Sequence, residues 1–114
     1  MALPRLLLKD SVKINGRHFD HEVRLILDVA RESAPDMQQD AVWITSANDS
    51  KHKNGSLHYK NQAFDIRIWN IAGDDPDYTK AKEWATRMQA ALGADYDVLF
   101  EDDHIHAEYD PKET

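Results

Sequence analysis

AFDIRIW, residues 63–69, is the stretch whose reading decides the fold. Its apolar residues alternate. Phe64, Ile66 and Ile68 fall on one face of a strand, and Ala63, Asp65, Arg67 and Trp69 on the other, because successive side chains of a strand point to opposite sides. The first set has the composition of a core face. The second then faces solvent or a cleft. Aspartate is disfavoured inside strands, so Asp65 needs a reason to be there.

On the N-terminal side, ANDSKHKNGS is a run of turn residues, and 47–57 reads as a surface loop. It delivers a histidine, His58, seven residues before Asp65. Before the loop, AVWITS (41–46) is rich in strand formers. Further back, Asp20 is placed to cap a helix running to about Ser33. Val23, Ile26, Leu27 and Ala30 recur at i, i+3, i+4 and i+7, an amphipathic stripe, and Pro35 marks the exit.

On the C-terminal side, Asp75 is expected as an N-cap, with Pro76 at the first helical position and Asp77 in the first turn. Tyr78, Ala81, Ala85, Met88 and Leu92 mark the buried stripe of this second helix, and Gly93 ends it. Two strands follow, at about 96–101 and 104–109, joined by an acidic link. The expectation is a small single α+β domain over residues 1–114, with two main helices and a mainly antiparallel sheet of three to four strands.

Composition narrows the chemistry. The chain has 114 residues, a length that suits one domain able to bury its own core. It has no cysteine, so disulfides and thiolate metal sites are excluded, and any transition-metal site must use His, Asp and Glu. A net charge of −7 argues against a nucleic-acid binder, which needs Lys and Arg to neutralise phosphates. The opening MALPRLLLKDS is too short in its apolar part for a signal-peptide core or a membrane span. A protein kept in the cytoplasm, or exported by some other route, and without stable membrane insertion is expected.

Six histidines are present. His104 and His106 lie two apart on an expected strand, so both point to one face, and Glu108 shares that parity. Catalytic zinc needs three protein ligands and an open position, and imidazole with carboxylate is a standard set. A further carboxylate can take a proton from water, and a nearby histidine can hydrogen-bond a developing oxyanion. Taken singly, these residues have blander explanations. His58 alone is a surface-loop histidine, Glu101-Asp102-Asp103 a solvated turn, and Arg67 an exposed ion-pair partner as readily as a contact to a substrate carboxylate. Arg17 is a weaker candidate for that contact. His18, His21 and His52 read as structural or exposed. Asp74, Asp75 and Asp77 lack the full calcium-loop pattern. Trp43, Trp69 and Trp84 read as core or cleft wall, with Trp69 on the parity of the site face.

Two segments together carry a resemblance. Ser56-Leu57-His58-Tyr59-Lys60-Asn61-Gln62-Ala63-Phe64-Asp65 resembles the S-x-H-x-x-G-x-A-x-D motif of the zinc D-alanyl-D-alanine carboxypeptidases and their relatives. That LAS group includes the L-alanyl-D-glutamate peptidases of phage endolysins and the zinc-binding domain of hedgehog proteins. Asp103-His104-Ile105-His106 is similar to the group's later motif, an acid three residues before a ligand histidine. The resemblance implies a hedgehog/DD-peptidase-like fold and Zn2+ held by His58, Asp65 and His106. It makes Asp103 the general base, His104 an electrostatic helper at the scissile carbonyl, and Ser56 a substrate-contacting residue. The substrate implied is a peptide of bacterial peptidoglycan.

The resemblance also implies a lysis enzyme held in the host cytoplasm until a holin-type partner releases it to the periplasm and cell wall. A non-catalytic zinc-binding module is the alternative within the same group. A metal-dependent nuclease is a third class, for which the later Asn and His are absent after His106. The chain departs from the pattern at Asn61, where the group has glycine, and at Asp103, where many members have glutamate. In a regular strand Asp103 and His106 face opposite sides. A strand beginning at His104, or a bulge there, removes the conflict; otherwise Glu101 is the rival base.

Overall fold

Alternation in 63–69 produces a central strand in the computed structural model, which describes residues 3–14, 20–47 and 63–111. Along the chain come β1 (Arg5–Leu8), α1 (His21–Glu32), a 3-10 turn (Gln38–Asp40), β2 (Ala41–Ser46), β3 (Ala63–Arg67), α2 (Thr79–Leu92), β4 (Tyr96–Glu101) and β5 (His104–Tyr109). The strands form one five-stranded sheet in the order β1-β2-β3-β5-β4. The fold is α+β, as expected, but the sheet is larger than the three to four strands read from the sequence.

The additional strand is β1. Its apolar residues Leu6, Leu7 and Leu8 are too few to signal a strand by periodicity. Pairing with β2 creates it, with Leu6 opposite Val42 and Leu8 opposite Ile44. That pairing is parallel, because α1 intervenes and returns the chain in the same direction. The other neighbours, β2–β3, β3–β5 and β4–β5, are antiparallel.

Phe64 and Ile66 on β3 are fully buried, with Ile105 and Ala107 of β5 and Val42 and Ile44 of β2 beside them. Ile66 faces Ile105 and Phe64 faces Ala107 across the ladder, so these residues share one face. Val23, Ile26, Leu27 and Ala30 of α1 and Ala81, Trp84, Ala85 and Met88 of α2 join them in one apolar cluster. Both helices therefore cover the same side of the sheet. Full burial of each large side chain contributes about 1.5–3 kcal/mol. Buried Asn70, just beyond β3, donates from Nδ2 to the Ala41 carbonyl at 3.0 Å and ties the exit of β3 to the start of β2.

Two local expectations about α2 are corrected. The helix begins at Thr79, not at Pro76, and Tyr78 occupies the N-cap position with φ 59°. Asp74 and Asp75 act on the helix start from the preceding turn. Asp75 accepts from the Thr79 N–H at 3.0 Å, and Asp74 accepts from the Lys80 and Ala81 N–H groups at 2.9 and 3.3 Å. The Thr79 hydrogen bond holds the Asp75 carboxyl below its usual range. Because Tyr78 lies in this turn, it is 42% exposed, and Trp84 takes a place in the buried stripe. Gly93 ends α2 as expected, at φ 91°, a conformation that disfavours any side chain. Among the described residues no helix is long and apolar enough to cross a membrane.

Candidate functional site

With both helices on one side, period 2 sends Asp65 and Arg67 of β3 to the uncovered side of the sheet. Register brings partners to them. His106 lies directly opposite Asp65, and His104 directly opposite Arg67. Opposed side chains on one face have Cβ atoms about 4.5–5.5 Å apart. A β-bulge adjoins Asp65: Ile44 pairs with Ile66, but Ser46 pairs with Asp65, so Thr45 is extra on β2. Such bulges re-aim side chains at sites.

Asp65 and His106, separated by 41 residues in sequence, meet at 3.0 Å between Oδ1 and Nδ1. On its other side His106 Nε2 lies 2.8 Å from Glu108 Oε1. The side chains of His106 and Glu108 are each only 15% exposed. Glu108 accepts an Nε2–H, which leaves Nδ1 directed at Asp65. Donating a hydrogen bond to Asp65 pushes the His106 pKa above the ordinary histidine value, against the opposing effect of burial and with further help from Glu108. A metal binding at Nδ1 must displace that proton, so binding releases it and weakens as pH falls.

The donor geometry fits zinc at these two residues. Two atoms coordinated to one tetrahedral zinc at 2.0–2.2 Å lie roughly 3.3 Å apart, close to the Asp65–His106 separation. His58, the third expected ligand, and Ser56 lie outside the described residues, as do His18, His52 and Arg17. Among the described residues, the group of three ligand-type side chains with mutually close donor atoms is Asp97, Glu108 and Asp110. It is all carboxylate, the donor set of hard cations and not of zinc.

β5 begins at His104, and β4 and β5 are joined by a turn at Asp102 and Asp103. The parity conflict for Asp103 therefore does not arise, since that residue precedes the strand. Its carboxylate is 2.5 Å from His104 Nδ1, with the Asp103 side chain 88% exposed. His104 Nε2 points the other way, 3.6 Å from Asp65 Oδ1 and 3.9 Å from Glu101 Oε2. Both candidate bases thus contact the same imidazole, one at each nitrogen.

A groove of about 270 Å³ opens beside this group, lined by Lys9, Thr45, Asp65, Arg67, Trp69, Asp103 and His104. The Arg67 guanidinium carbon lies 4.3 Å from the Trp69 ring centre and 4.9 Å from that of Trp43. Trp69 is 68% exposed on this face, whereas Trp84 is in the core. His21 is exposed at the start of α1. Sequence reasoning missed Lys9 and Thr45 altogether. It noted the parity of Glu108 without giving the residue a role, although an acid two residues beyond a histidine on one strand face is the signal that the two side chains can meet.

Were His106 to hold zinc, Glu108→Ala is expected to weaken its binding about 10–100-fold, the usual cost of losing a partner that orients a ligand histidine. Glu108→Gln should retain most of the affinity, because its carbonyl oxygen still accepts the Nε2–H. Competition with a chromophoric chelator measures both, and equal affinities for all three proteins would remove Glu108 from that role. No protein-family model matches this chain, and no curated protein matches it significantly.

Proposed function

We propose that this protein is a zinc-dependent peptidase that hydrolyses an amide bond in the peptide stem or cross-link of bacterial peptidoglycan, acting in phage lysis. The observation that carries the proposal is the meeting of Asp65 and His106 on adjacent strands, with His104 beside them. These are three of the residues that the two motifs place in a metallopeptidase site. His58 is proposed as the third ligand.

Zinc, when bound, polarises the scissile carbonyl and acidifies water. Asp103 accepts a proton from the attacking water and passes it to the leaving amine. His104, held by Asp103 at Nδ1, presents Nε2 towards Asp65 and donates a hydrogen bond to negative charge developing on the carbonyl oxygen. Before lysis the enzyme resides in the host cytoplasm, and a holin-type partner gives it access to the wall.

Mass spectrometry of peptidoglycan digested with zinc-loaded protein, against a chelated control, tests this function. New amine and carboxylate ends that vanish with chelator are expected. Intact peptidoglycan despite bound zinc would favour the non-catalytic zinc module instead.

The two candidate bases separate by substitution. Asp103→Asn is expected to keep zinc and lower kcat by about 10²–10⁴-fold, the range for a general base, while Glu101→Gln has a small effect. The reverse pattern in single-turnover assays would transfer the role to Glu101.

A further inference from the structure

We propose that Gln89 guards the outer edge of the sheet. Its carboxamide takes hydrogen bonds at β4 that an added strand would make, and so prevents edge-to-edge pairing with a second copy of this chain. The proposal is independent of the peptidase function.

Among the described residues β4 is an outer strand of the sheet, so one row of its backbone groups faces no neighbouring strand. Register identifies that row. The Asp110 N–H donates to the Asp95 carbonyl at 2.7 Å, which turns the backbone of residue 95 towards β5. Backbone groups alternate in direction along an antiparallel strand, so those of Tyr96, Val98 and Phe100 point outwards. Such a row is a template for pairing with another chain.

Apolar surface lies beside it. A groove of about 510 Å³ runs next to this edge, with Ala85, Ala90, Val98 and Phe100 among its lining. Phe100 is only partly buried. A strand added at β4 would therefore gain hydrogen bonds and bury apolar area together. The opposite edge invites less. β1 has four residues against six in β4, and it begins with Arg5 and is followed by Lys9. Short, charged edges pair poorly.

Gln89 stands at the vulnerable edge. It projects from the last turn of α2, where Nε2 donates to the Tyr96 carbonyl at 2.7 Å and Oε1 accepts from the Val98 N–H at 2.9 Å. The same nitrogen donates to the Gly93 carbonyl at 3.0 Å. A primary amide has two N–H donors and an acceptor oxygen, so one side chain satisfies all three backbone groups. About two helical turns earlier, Lys82 holds its Nζ 5.5 Å from the Phe100 ring centre. A strand pairing at Phe100 would have to strip water from this ammonium. Gln89 thus occupies the first part of the edge, and Lys82 sets a charge over the rest.

Gln89→Met tests the guard. Methionine keeps the length and helix propensity of the side chain and removes both bonds to β4. Sedimentation velocity over a range of protein concentrations is combined with native-state hydrogen exchange read by NMR. The parent is expected to remain monomeric throughout, with a protected Val98 amide. In dilute Gln89→Met that amide should exchange about 2–10-fold faster, the scale of one hydrogen bond. As concentration rises the variant should associate, and the outward amides of Val98 and Phe100 should become protected in the associated form. Adding Ala90→Lys to Gln89→Met places a charge in the groove, at an exposed helix position, and should restore the monomer. Gln89→Glu, which still accepts from Val98 and carries a charge at the edge, should stay monomeric.

A Gln89→Met protein that is monomeric at every concentration overturns the proposal. So does association that Ala90→Lys leaves unchanged, or that leaves the Phe100 amide unprotected, because the contact then lies elsewhere. A parent that associates as readily as the variant has the same consequence. Should Gln89→Met fail to fold by circular dichroism, Gln89→Ala carries the same expectations.

Discussion

His106→Ala is expected to abolish stoichiometric zinc binding and all chelator-sensitive hydrolysis. The loss should exceed the roughly 10–100-fold cost of removing a residue that only orients a ligand, because the proposed three-ligand site would lose one of its donors outright. Two carboxylates, Asp65 and Glu108, now share this imidazole at 3.0 and 2.8 Å. Its removal takes away the imidazole that joins these two acids, a further penalty for retaining the site geometry. The fold itself should persist, since His106 belongs to the sheet face away from the helices. Far-UV circular dichroism and metal analysis by mass spectrometry make the comparison direct. A folded variant that still carries one zinc per chain would remove His106 from the centre.

Trp84→Ala is expected to have the largest effect on stability, a loss of about 3–5 kcal/mol. Such a loss is a large share of the roughly 5–15 kcal/mol that holds a domain together. Trp84 is 1% exposed, and its Nε1–H donates to the Ala30 carbonyl at 3.1 Å, joining α2 to α1. Alanine leaves a cavity between the helices and removes the donor as well. Trp84→Phe separates the two contributions, keeping most of the volume while losing only the hydrogen bond, for about 1 kcal/mol from that bond. Urea unfolding followed by circular dichroism measures both. A midpoint for Trp84→Ala near that of the parent would show that the helix pair does not depend on this side chain.

Residues of one strand were the most legible part of the candidate site. Asp65 with Arg67, and His104 with His106, share a face because side chains alternate along a strand whatever it pairs with. The position of Asp103 was not legible in that way. Its orientation depends on where the β4–β5 turn falls, and one residue of difference reverses the face. The same limit applied to the start of α2. The acids Asp74 and Asp75 were recognisable as helix-starting residues, but the turn between Asp75 and Thr79 moved the first helical residue onward, since side chains can cap from several residues upstream.

Local periodicity and composition determined α1, α2, β2, β3, β4 and β5, the apolar face of α1 and the core face of β3, because those patterns require only neighbours along the chain. Tertiary structure decided the rest. It made a strand of Arg5–Leu8 through parallel pairing with β2, placed Glu108 on the far nitrogen of His106, and brought the Arg67 guanidinium against Trp43 and Trp69. Parity along a strand tells which side a residue faces. Only register and strand order, set by burying apolar surface from distant segments together, determine what it meets there.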